Sequence, residues 1–203
     1  MASRPTVFVY HGELLPYSAT FIRTQAAALQ SFKAGFAGLF PSRGISLDLD
    51  LDFPPVLLTK DHSVASRLKR NFFKRTGLGA QKFLHELSAR SPVLLHAHFA
   101  LDASIALPIT EQLGIPLITT LHGYDVTIRD EVLSRSLEGR IYLKRRERLW
   151  KSAHIFSAVA ITFEAAPSNA DIPRKSSRRS IRGTIWLSST CRRSREIEIS
   201  LST

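Results

Sequence analysis

His96 and His98 stand two residues apart, and a third histidine, His122, opens the run His-Gly-Tyr-Asp at 122–125. Residues i and i+2 of a strand project from one face, so a strand at Val93–Ala97 makes His96 and His98 a same-side pair. With His122 and Asp125 added, the group suits two kinds of chemistry. Imidazoles and a carboxylate can hold zinc or iron, which makes a metal-dependent hydrolase one reading. Hydrolases with an HxH strand need further ligands on later strands, and this sequence identifies none. A neutral imidazole instead donates one hydrogen bond and accepts another, which suits holding a hydroxyl or steering its proton. Gly123 lets a ligand approach the backbone closely. Asp125 either orients His122 or caps the helix after it. A His-Gly pair also occurs in oxyanion holes of α/β-hydrolases, but G-x-S-x-G is missing. His96 lies deeper in its strand and reads as a hydrogen-bonded structural residue.

These residues are set by one strand–helix–strand unit, PVLLHAHFALDASIALPITEQLGIPLITTLHGYD at 92–125. Val93–Ala97 and Pro116–Leu121 are short apolar runs with little alternation, as expected of strands buried on both faces of a parallel sheet. The dozen residues between them supply the crossover that parallel strands require. Ligands of open α/β sheets bind beyond the carboxyl ends of the strands, where His98, Phe99 and His122 fall. Pro108 predicts either a kink in the crossover helix or the first turn of a shorter one.

The remaining elements repeat that alternation. Thr6–Tyr10 is a strand, and His11–Pro16 is a turn containing Gly12. Ser18 caps a helix to about Phe32, and Ala34–Phe40 is a second strand. LDLDLDF reads as an edge strand or insertion. Helices are predicted over His62 to about Thr76, Gln81–Ala89 and Leu137–Ser152. The order predicts an α/β, Rossmann-like parallel sheet with helices on both faces, in a domain over residues 5–156.

The formal charge is +11 over 203 residues. That balance attracts nucleic acid, anionic membranes or phosphorylated substrates, yet no zinc-finger or RNP-like spacing points to nucleic acid. One cysteine excludes an internal disulfide framework. No apolar run reaches the ~18–20 residues of a membrane span, and no secretory signal is recognisable. The expectation is a cytoplasmic protein, with peripheral attachment to the inner membrane face open. The helix VASRLKRNFFKR offers a candidate membrane surface of Arg67, Lys69, Arg70, Phe72, Phe73, Lys74 and Arg75. The alternative is an ordinary core-facing helix with a solvated basic side. Residues 157–203 lack periodicity and read either as a disordered basic tail or as a shifted reading frame after a truncated domain.

LLPYSATFIRTQAAALQ (14–30), VLLHAHFALDASIALPITEQLGIPLITTLHGYD (93–125) and RRERLWKSAHIF (145–156) together resemble the N-terminal domain of family 4 glycosyltransferases. These enzymes have two Rossmann-like domains in the GT-B architecture, and the likeness is to bacterial exopolysaccharide and colanic-acid-type members. Ala19 stands where that family usually has Glu. The resemblance implies transfer of a sugar from a nucleotide-sugar donor to a carbohydrate or lipid-linked acceptor, with retention and without metal or other cofactor. It implies a catalytic role for His122 beside the reacting sugar, and acceptor contacts from His98, Gly123, Asp125 and the 11–18 loop with Gly12 and Ser18. In that family the C-terminal domain binds the donor, so the chain alone is expected to be inactive. A non-catalytic basic α/β module for a membrane or partner subunit is the competing expectation.

Overall fold

The structure, a computed structural model, describes residues 4–14, 20–43, 52–122, 124–152, 155–158 and 186–187. The first half contains β1 (Thr6–Tyr10), β2 (Glu13–Leu14), α1 (Thr20–Ala27), β3 (Lys33–Gly38), β4 (Phe40–Pro41), β5 (Val56–Leu57), α2 (Val64–Thr76) and α3 (Gln81–Ser88). The second half contains β6 (Pro92–His98), α4 (Ala100–Leu113), β7 (Leu117–Leu121), α5 (Tyr124–Thr127), α6 (Asp130–Leu133), α7 (Leu137–Ser152), β8 (Ile155–Ala158) and β9 (Trp186–Leu187).

The main sheet has the order β5-β3-β1-β6-β7-β8-β9. All neighbours are parallel except β8 and β9. The chain therefore builds outward from β1 to β5, returns, and builds outward the other way from β6. That reversal puts a topological switch point between β1 and β6, the place where open α/β sheets form a ligand crevice.

Strand alternation divides the core. Phe8 and Tyr10 of β1, with Leu95 and Ala97 of β6, join the large cluster that packs against α3, α4 and α7. Val9 faces the other way, into a smaller cluster with Ile22 and Ala26 of α1 and with Ala34 and Phe36. Helices thus cover both faces, as the buried character of β1 and β6 predicts.

Several boundaries differ from expectation. The first helix ends at Ala27 rather than near Phe32, because Ala28–Gln30 turn and the Lys33 N–H bonds the Pro5 carbonyl to open β3. The second strand breaks at Leu39, with Phe40–Pro41 pairing to β2 instead. β8 extends the parallel sheet past α7, where no strand was expected. Within the expected tail, Ser157 and Ala158 complete β8, and Trp186–Leu187 pair with it. The rest of that tail and most of LDLDLDF lie outside the described residues.

Pro108 neither shortens α4 nor starts it; the helix runs through. A proline has no N–H, so the carbonyl four residues back, Ser104 O, loses its helical donor. The Arg145 guanidinium on α7 replaces it, donating to Ser104 O at 3.0 Å and to Arg75 O at the end of α2 at 3.0 Å. The ring itself packs on Gly77, where a Cβ would come within 2.6 Å of Pro108 and where φ is +75°. The proline is accommodated by a buried cation and a close glycine contact.

Candidate functional site

Three adjacent strands end in histidine. His11 follows Tyr10 of β1, His98 is the last residue of β6, and His122 follows Leu121 of β7. Because the strands are parallel neighbours, the three rings collect at one edge of the sheet, beside the switch point. His98 Nδ1 and His122 Nε2 are 3.0 Å apart. The same-face reading of His96 and His98 holds, with ring centroids 4.6 Å apart. His96 is the structural histidine expected: its Nε2 pairs with Thr120 Oγ1 of β7 at 2.7 Å.

Aromatic rings frame His122. Phe21 of α1 lies 5.0 Å away and Phe99 lies 4.3 Å away, centroid to centroid. Phe99 also meets His11 edge-on at 5.8 Å, so it bridges the crevice from β6 toward β1. Its backbone is unusual for a bulky residue, with φ +68°. That conformation costs of order 1–3 kcal/mol and is fixed by a bond from Phe99 N to Thr120 O at 2.8 Å. Phe21, by contrast, is open to solvent.

The electrostatics favour the neutral forms of His96, His98 and His122. Burial pushes His96 down to about 4, with His122 adding to the effect. Burial first, then the neighbouring histidines, pushes His98 to about 2. Burial also lowers His122, against the opposing pull of Asp125. Two neutral rings share one proton across the 3.0 Å contact. His98 Nε2 is buried without a hydrogen-bond partner, and an orphaned buried N–H is rarer than an orphaned acceptor. That network assigns the shared proton to His98 Nδ1 and leaves the proton of His122 on Nδ1. The half-buried His122 ring is then a neutral donor, suited to holding an oxygen and poorly suited to becoming an imidazolium.

Asp125 builds the site. Its side chain is buried, and its two oxygens accept from Ala100 N at 2.7 Å and His122 N at 3.0 Å. Phe99 at the N-cap position of α4 contributes no side-chain cap, so a carboxylate from beyond β7 caps that helix instead. One side chain thereby ties the ends of β6 and β7 together.

Gly12 is likewise engaged. Its N–H donates to Asp102 Oδ2 at 3.0 Å, its carbonyl accepts from Leu39 N at 2.9 Å, and a Cβ there would meet Asp102 Oδ1 at 2.8 Å. Its role is to let the turn after β1 seat against α4, not to offer an amide to a ligand. Asp102 lies 3.5 Å from His11 Nδ1, and its pKa is raised by burial despite His11 and the Gly12 amide. Sequence analysis placed Phe99 at this edge and His11 in the 11–18 loop without giving either side chain a role, and it missed Phe21 and Asp102 as site residues. Position just past a strand end was the available signal for His11 and Phe99. Nothing in the sequence joins Asp102 to Gly12.

His98 is 1% exposed and supports His122 from below. Ser18 and Gly123 lie outside the described residues. Among the described residues no group of three His, Cys, Asp or Glu side chains can hold a metal ion, and His96 Nε2, His98 Nδ1 and both Asp125 oxygens are turned to the partners named above. Of the seven residues of the expected membrane surface, Arg70, Phe73 and Lys74 are buried. Arg70 donates to Thr59 Oγ1 at 2.7 Å and to Asp61 O at 3.0 Å, and Lys74 pairs with Glu138 at 2.6 Å. No described helix is long and apolar enough to cross a membrane. Neither a known protein family nor a curated protein matches the chain.

Proposed function

We propose that this chain is the acceptor-side, Rossmann-like domain of a retaining glycosyltransferase, and that His122 holds a hydroxyl of the carbohydrate or lipid-linked acceptor. The observation that carries the reading is the His98–His122 pair at 3.0 Å, on neighbouring strand ends beside the switch point. A neutral N–H donor suits a sugar oxygen, and the exposed ring of Phe21 offers an apolar surface for the sugar's C–H face. The motifs HAHF and LHGYD, which sequence analysis likens to family 4 glycosyltransferases, are the segments that build this pair.

In the family that this reading invokes, a second Rossmann-like domain supplies the donor half of the reaction. A departing diphosphate needs preorganised N–H groups and cations, and the described residues form a single Rossmann-like unit. The chain of 203 residues is therefore expected to bind a saccharide and to leave a nucleotide-sugar donor unconsumed. The test is a nuclear magnetic resonance titration of the histidine side chains with methyl glycosides of glucose, galactose and mannose. At least one glycoside should perturb His122 and, through their contact, His98; His122→Ala should abolish the His98 shift, and Phe21→Ala should abolish both. If no glycoside moves the His122 signals, or the response survives both substitutions, the reading fails.

A further inference from the structure

Helix α2 buries two of its cations and exposes most of its apolar side chains. Its cations Arg70 and Lys74 are 6% and 9% exposed, whereas Val64, Leu68 and Phe72 are 63%, 63% and 52% exposed. Residues spaced by four share one helix face, and Leu78, just past the helix, adds a further exposed apolar side chain at 58%. An ordinary surface helix turns its apolar stripe to the core. Here Phe73 is the one apolar side chain of the helix in the core, and the other inward positions are taken by cations with specific partners: Arg70 also lies 4.5 Å over the Phe40 ring, and Lys74 is neutralised by Glu138 of α7. Single exposed apolar residues are common; an aligned row is a marker of an interaction surface.

Charge selects the partner. Arg67, Lys69 and Arg75 are exposed on the same helix, and no acidic residue occurs between Asp61 and Glu86. A second copy would bring the same cations, on a chain of net charge +11, face to face with these. Nucleic acid would leave the Val64–Leu68–Phe72 row without a use. We infer that this face docks the protein on an anionic lipid surface, the apolar row entering the acyl boundary and the three cations meeting headgroups.

The placement links docking to the crevice. α2 begins a few residues after β5, and Leu58 and Thr59 just past the carboxyl end of that strand bond back to Gly38 at the end of β3 and to Leu39 after it. The first turn of α2 therefore lies at the same sheet edge as His11, His98 and His122. A lipid-anchored acceptor would then approach that edge from the docked side. This last step rests on the saccharide reading, while the docking itself does not.

The experiment is flotation of the full chain with phosphatidylcholine vesicles and with vesicles of equal parts phosphatidylcholine and phosphatidylglycerol. The wild type should float with the second kind and be released by high salt. Leu68→Glu with Phe72→Glu should lower partition at least about tenfold, and each of Arg67→Gln, Lys69→Gln and Arg75→Gln about fivefold. Circular dichroism should be unchanged, since all five side chains are exposed. Failure of the wild type to float, or equal flotation of the Leu68/Phe72 variant, overturns the inference. So does a wild-type dimer that the same variant dissolves, which would assign the face to a second copy. Soluble glycoside titrations use no vesicles, so either result can fail alone.

Discussion

Replacing Asp125 tests the construction of the site most directly. Its carboxylate is buried and accepts two backbone N–H groups, 2.7 Å from Ala100 N and 3.0 Å from His122 N. Hydrogen bonds to a charged acceptor are each worth about 1.5–3 kcal/mol. Asp125→Ala removes both and strands two donors, so the expected loss is roughly 3–5 kcal/mol, a large part of a domain's ~5–15 kcal/mol. Asp125→Asn keeps the shape but has one oxygen, and its NH2 group must face the other N–H. The expected loss is about 2 kcal/mol, from one bond turned into a donor–donor contact. Urea unfolding at neutral pH measures both as a shift of midpoint at constant slope. The Asn variant carries a second signature: one of the Ala100 and His122 amide protons, and only one, should lose the downfield shift of a carboxylate-bound N–H. An Asn variant within about 0.5 kcal/mol of wild type would refute the two-bond cap, since ordinary surface substitutions fall in that range.

Two further outcomes follow from the buried groups. His96 and His98 are depressed to about 4 and about 2 in the fold, against ~6.5 unfolded, so between those values the unfolded chain binds about two more protons. Stability is then full above the unfolded value and falls as pH drops below it, by roughly 2–3 kcal/mol per pH unit near pH 5; His98→Gln should halve that slope in urea titrations, and an unchanged slope would count against it. Arg145→Met should cost about 2 kcal/mol in the wild type and about 1 kcal/mol less in a Pro108→Ala background, where the alanine N–H serves Ser104 O. Additivity of the two changes within about 0.5 kcal/mol would show that the guanidinium does not replace the missing helical donor.

The sheet was legible because its strands are short, bounded and apolar. TVFVY became β1 residue for residue, Leu137–Ser152 became α7, and the strand–helix–strand unit came out within a residue or two. The position of His98 and His122 at neighbouring strand ends followed from parallel pairing alone. What periodicity could not give was the inward side of α2. A spacing of four marks a common face for Val64, Leu68 and Phe72, and hydrophobicity assigned that face to the core in one reading and to a membrane in the other. Which side turns inward was decided by Thr59, Asp61, Phe40 and Glu138, which offer a hydroxyl, a carbonyl, a ring and a carboxylate to Arg70 and Lys74. Those partners come from three other parts of the chain.

Pro108 marks where sequence reasoning stops and why. A proline inside a helix announces in advance that one named carbonyl, Ser104 O, needs an outside donor. Chemistry narrows the donor to a long side chain on a packed neighbour, but the chain has 28 lysines and arginines, and nothing local ranks them. Arg145 is selected because α7 crosses α4 at the turn where that carbonyl emerges, and because its second nitrogen reaches Arg75 O, another helix-end carbonyl. The same logic governs the site. The N-terminus of α4 announced a need for an acceptor, and only the return of the chain after β7 decided that Asp125 would meet it. The groups that position His122 are thus long-range solutions to local backbone deficits. They can be posed from sequence as questions, and the fold supplies the answers.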